Sequence, residues 1–182
     1  MNIKRGSVFL MFCALALFAV PGAGAEKREE FGMRRYINAR FGYSMEYPDI
    51  FETKTEPDNG DGVKLASKNG EYTLAIWGGY NIFGQDGDAL LEESKERVAH
   101  ILPGSERSAG KYYSIQYGDD GGKDGTEHIF YEYVIVNADM KAGFTFSYPK
   151  DEEKRFEIAV IDMENSLKMP EAESETDISE EE

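Results

Sequence analysis

The sequence predicts an α+β fold, an antiparallel β-sheet of about six strands with helices packed against it. Two periodicities carry that expectation. Over several short segments apolar residues alternate with polar ones, the period of a half-buried strand, while two longer segments space their apolar residues as one face of a helix. Along the chain these fall as three strands, a helix, three strands and a helix. The strands are joined by turns too short for parallel crossovers, which favours antiparallel pairing.

From the N-terminus, residues 1–25 read as a cleaved secretory signal. Lys4 and Arg5 form a basic start, residues 8–20 are almost unbroken apolar, and Ala23-Gly24-Ala25 offers small residues for cleavage. The apolar run is shorter than the roughly 20 residues of a membrane-spanning helix. Residues 26–35 are charged and mixed, a mobile lead-in. The domain is expected over residues 36–169. Its first strands place Tyr43, Met45 and Tyr47, then Val63 and Leu65, then Tyr72, Leu74 and Ile76 at alternate positions.

The second group covers residues 111–117, 127–136 and 140–148, and its last two strands fix a register. With Ala138 and Asp139 as a two-residue turn, Asn137 faces Met140. Ile135 then pairs with Ala142, Tyr133 with Phe144, Tyr131 with Phe146 and Ile129 with Tyr148. That face is wholly apolar or aromatic and should be fully covered. The other pairs Val136 with Lys141, Val134 with Gly143, Glu132 with Thr145 and Phe130 with Ser147, a mixed face covered in part.

Helical spacing appears twice. Residues 151–168 align Phe156, Val160, Met163 and Leu167, broadened by Ile158, Ala159 and Ile161, with Pro149 and Asp151 as a start. Residues 88–101 align Leu91, Ser94, Val98 and Ile101, with Asp88 capping the first turn and Pro103-Gly104 ending the run. Beyond the second helix, residues 170–182 hold seven acids, no base and one large apolar side chain, Ile178. Such a segment buries too little surface to offset its ordering entropy and is expected to be a disordered acidic tail.

Charge and cysteine content exclude several functions. There are 20 Lys and Arg against 35 Asp and Glu, a formal charge of -15 that repels phosphate backbones, so nucleic acid is not an expected partner. The lone cysteine, Cys13, lies inside the leader. A chain cleaved after residue 25 therefore has no thiol for disulfides, thiolate catalysis or Cys-based metal sites. No cofactor is expected.

Candidate sites are sparse. Asp58-Asn59-Gly60-Asp61-Gly62 and residues 119–125, with Asp120 and Asp124, look like calcium loops. Setting Gly62 as the invariant EF-hand glycine puts Pro57 and Lys68 at the end positions, and setting Gly125 there puts Tyr131 at the last. Both read as plain turns, leaving a loose cation site between the loops, with Asp58, Asp61, Asp120 and Asp124, as a weak alternative. His100 is expected to cap a helix end and His128 to open a strand, without metal-ligand spacing. No G-x-S-x-G is present. Glu132, the acid inside an apolar strand, reads as exposed opposite Thr145. The best contact residues are Trp77, Tyr80 and Asn81, set around the Gly78-Gly79 pair ahead of the first helix, since Trp and Tyr often anchor interfaces.

Several motifs together resemble a known family. Arg40-Phe41-Gly42-Tyr43-Ser44 leads to Tyr47-Pro48; Asn59-Gly60-Asp61-Gly62 precedes a strand; Tyr148-Pro149 opens a helix ending in Ser166-Leu167-Lys168. These resemble the PsbP-like α/β/α sandwich superfamily over most of residues 36–168. The resemblance implies an antiparallel sheet between helices, used as a non-enzymatic binding or assembly module. Its members include extrinsic photosystem II subunits, a nuclear Ran-binding relative and exported bacterial proteins, and this sequence looks most like the last. No photosynthetic docking arm is matched and no catalytic residue is carried over.

The resulting expectation is an exported, periplasmic or secreted accessory that binds a protein of the cell envelope and keeps no transmembrane anchor after cleavage. The alternatives are a hydrolase using carboxylates on the mixed face and a weak small-ligand or cation carrier.

Overall fold

The computed structural model describes residues 31–119 and 125–170. The expected signal, the cation candidates Asp120 and Asp124, and residues 171–182 of the expected tail lie outside the described residues. A short antiparallel ribbon comes first, β1 (Met33–Ile37) with β2 (Ser44–Pro48). The main sheet uses β3 (Phe51–Thr55), β4 (Gly62–Ser67), β5 (Thr73–Tyr80), β6 (Arg107–Ala109), β7 (Tyr112–Gly118), β8 (His128–Val136) and β9 (Met140–Pro149). Its spatial order is β3-β4-β5-β9-β8-β7-β6, and every neighbouring pair is antiparallel. Helix α1 (Gly87–Arg97) joins β5 to β6, and α2 (Glu153–Ser166) follows β9 through a 3-10 turn, Lys150–Glu152.

The two helices cover opposite faces. Ile129, Tyr131, Ala142, Phe144, Phe146 and Tyr148 point toward α2, whose Phe156, Ala159, Val160 and Met163 are buried with them in the larger core. The β1–β2 ribbon lies over the same face. Tyr43 and Met45 are sealed into that core, and Ser44 exchanges two backbone bonds of 2.9 Å with Lys168 just after α2. On the other face Leu90 and Leu91 of α1 meet Tyr113, Ile115, Val134 and Val136 in a smaller core.

The β8–β9 register is the expected one at every pair, from Ile135 with Ala142 to Ile129 with Tyr148, with Asn137 N–H donating to Met140 O across the turn. Both Tyr-Pro pairs end strands, Pro48 closing β2 and Pro149 closing β9, since proline offers no N–H to a ladder. Gly42 takes φ +71, so the small residue between Phe41 and Tyr43 is required by backbone conformation.

The structure corrects several expectations. The main sheet has seven strands, close to the six expected, but the described residues hold three strands that the pattern did not reveal. The added ones are β1, β3 and β6, and the segment read as the first strand of the sheet belongs to the ribbon instead. Met33, Arg34 and Arg35 are strand residues, so the domain starts inside the expected lead-in. Helix α1 is capped by Asp86, whose carboxylate accepts from Ala89 N at 2.9 Å, and not by Asp88. It ends at Arg97, because Val98 turns extended and Ile101 bridges to Tyr117. His100 lies beyond that end at φ 53, and its backbone carbonyl accepts from Gly118 N. Ile161 is 48% exposed and does not widen the buried stripe.

Candidate functional site

Strand β5 runs through Trp77-Gly78-Gly79-Tyr80, so the Gly78-Gly79 pair belongs to a paired strand. A Cβ on Gly78 would come within 2.4 Å of the Tyr43 ring, so close packing demands this glycine. Alternation then sends Trp77 and Tyr80 to opposite faces of the sheet. The three expected contact residues therefore do not form one site.

Tyr80 leads into an apolar tip. Residues 81–84 form a tight turn in which Gly84 N donates to Asn81 O at 3.1 Å and Gly84 takes φ +60. Ile82 and Phe83 occupy its two central positions, where side chains point away from the chain, and are 77% and 80% exposed; Tyr80 is 62% exposed. Asn81 is buried and holds the turn. Its Nδ2 donates to Gln85 O and Asn137 O, each at 2.8 Å, its Oδ1 accepts from Gln85 N at 3.0 Å, and its backbone N donates to Asp139 O. Tyr80 stands edge-on to Phe41 at 5.2 Å. Beside the turn lies a groove of about 700 Å³, with Tyr112, Tyr133, Ile135 and Met169 along it.

Ile82 and Phe83 were not among the sequence candidates. The signal was present: two large apolar residues between Asn81 and Gly84 occupy turn positions that no strand or helix period accounts for.

On the opposite face Trp77 is half-buried beside the smaller core and lies over Gly143, whose missing side chain makes room for the indole. It lines a cavity of about 300 Å³ under α1 that also holds Glu132. Glu132 is 2% exposed, which overturns its expected exposure, although Thr145 is its partner across the ladder as expected. The reason is α1. Its Ser94 Oγ donates to Glu132 Oε1 at 2.8 Å and its Arg97 at 2.9 Å, and Tyr113 OH adds a third bond at 2.7 Å from β7. Burial, and then the neighbouring Glu132 charge, push the Tyr113 hydroxyl well above the ordinary tyrosine range. A second acid, Glu93, reaches this cavity but accepts from Gln85 Nε2 at 2.8 Å.

The loop at residues 58–62, read as a plain turn with a cation site as the weaker alternative, is hydrogen-bonded within the protein. Asn59 Nδ2 donates to Asp61 Oδ2, Arg40 to Asn59 O, and Tyr43 OH to Asp61 O. This loop enters β4 at Gly62, in register through Trp77 and Gly143 with Val134. The other two candidates, Asp120 and Asp124, lie outside the described residues. Among the described residues no three His, Cys, Asp or Glu side chains gather as a metal site. His128 does open β8, its Nδ1 beside Thr126 O at 3.2 Å. No described helix is long and apolar enough to cross a membrane.

No family model matches the sequence, and no curated protein matches it. Solved structures do match in shape. The solution structure of cyanobacterial PsbP (CyanoP) from Synechocystis sp. PCC 6803 superposes with a TM-score of 0.54 at 13% identity, covering 84% of this chain and 99% of that one. LpqN of Mycobacterium tuberculosis, described as involved in cell envelope biogenesis, gives 0.49 at 13% identity, over 78% of this chain and 93% of that one. The sheet order, the helix on each face and the CyanoP superposition agree on one conclusion: this chain has a PsbP-like α+β fold.

Proposed function

We propose that the protein is an exported, non-enzymatic accessory of the cell envelope that binds another protein through the tip formed by Tyr80, Ile82 and Phe83. The observation that carries this reading is the exposure of two large apolar side chains on a turn made rigid by Asn81. A rigid turn adds little ordering cost on association, so the apolar surface it presents is available to stabilise a complex. The groove beside it extends the contact along Tyr112, Tyr133 and Ile135. A non-enzymatic role is supported by the state of the two cavity acids: three donors hold Glu132 Oε1, and Gln85 holds Glu93. Export is supported by the leader-like residues 1–25, and the acidity of the chain favours a protein partner over a polyanion.

The test is photocrosslinking in cells from a probe at residue 83, with Ile82→Ser/Phe83→Ser as the comparison. Both side chains are exposed, so the double variant should fold with stability within about 0.5 kcal/mol of the parent. The reading expects one dominant captured protein and its loss in the variant. Capture that survives the double substitution, or no specific capture, removes it.

A further inference from the structure

The cavity under α1 lies on the face away from the apolar tip and has a chemistry of its own. Three donors converge on Glu132 Oε1, but Oε2 has Thr145 Oγ1 at 3.4 Å, the long limit of a hydrogen bond. A carboxylate carries about four acceptor sites, so Oε2 retains capacity for a ligand donor. Trp77 supplies an aromatic wall, Arg97 and Lys141 supply donors, and Glu93 adds a second acceptor. The charges among these side chains balance, two acids against two bases.

That balance selects the ligand. A phosphate would meet Glu132 and Glu93, a metal ion would meet Arg97 and Lys141, and a lipid tail would strand the polar lining without partners. A neutral polyhydroxylated molecule satisfies all of it, because each hydroxyl both donates and accepts and the C–H face of a sugar ring lies well on an indole. A volume near 300 Å³ is at the small end of ligand pockets and suits one ring. We propose that this cavity is a binding site for a single neutral sugar ring, held by Glu132 Oε2 and Thr145 against Trp77.

Trp77 is the only tryptophan of the chain, so its fluorescence reports on this cavity. The protein is titrated with glucose, galactose, mannose and N-acetylglucosamine, and with glycine and lysine as zwitterionic comparisons, with calorimetry alongside. The expected result is a saturable emission change and heat with at least one sugar. Thr145→Val, which leaves the Arg97–Glu132 pair in place, should weaken that sugar about tenfold, and Ile82→Ser/Phe83→Ser should leave it unchanged. Silence from every sugar, a response to the amino acids alone, or binding unaltered in both Thr145→Val and Trp77→Phe would each overturn the proposal.

Discussion

Glu132 shows how one side chain changes meaning between sequence and structure. Along β8 its charge at an alternating position marks the residue as exposed, and the ladder partner Thr145 agrees. Its burial comes from Arg97 and Ser94, more than thirty residues earlier, whose helix lies over this face. No local pattern encodes that contact. Replacing Glu132 with alanine would leave the buried Ser94 and Tyr113 hydroxyls without their acceptor and Arg97 without its ion partner. Arg97 is itself half exposed and regains water, so the expected cost is about 2–4 kcal/mol. Urea unfolding of Glu132→Ala measures it. A loss under about 0.5 kcal/mol would mean that water serves these hydroxyls equally well.

Among the elements, legibility followed burial. The register of β8 on β9 was readable pair by pair because both faces of that central pair carry a pattern and the turn between them is tight. Strand β3 hid because four of its five residues are exposed at the sheet edge, β1 because none of its five residues is buried, and β6 because three residues show no period. The seat of α1 was hidden in a different way, in Gly87. A Cβ there would fall 2.2 Å from Tyr112 O and 2.3 Å from Ala109 O, so glycine lets the first turn of the helix rest on the β6–β7 hairpin backbone. By propensity alone Gly87→Ala should stabilise the helix by up to about 1 kcal/mol. The clash with two backbone carbonyls should prevail and produce a net loss of about 1–3 kcal/mol. A thermal melt gives the sign. A raised melting temperature would show that α1 moves off the hairpin without penalty.

Across the whole molecule, the aromatic core ties stability to alkaline pH. Six of the eleven tyrosines, Tyr43, Tyr72, Tyr113, Tyr117, Tyr133 and Tyr148, have their ionisation pushed upward, in each case first by burial. In the unfolded chain all of them lose protons near the ordinary value of about 10. The folded state thus keeps protons that the unfolded state releases. Stability from these hydroxyls is fully present below about pH 10 and falls as pH rises from there toward the higher folded values. Tyr43 and Tyr148 belong to the larger core and Tyr113 to the smaller one, so both faces of the sheet weaken over the same interval. In an absorbance titration of tyrosinate these six should therefore ionise in a single steep step that coincides with loss of the far-ultraviolet sheet signal. Gradual ionisation of the six with the sheet signal intact would mean that water reaches these rings in the folded state. In that case tight packing around the hydroxyls would not be what joins the two cores into one cooperative unit.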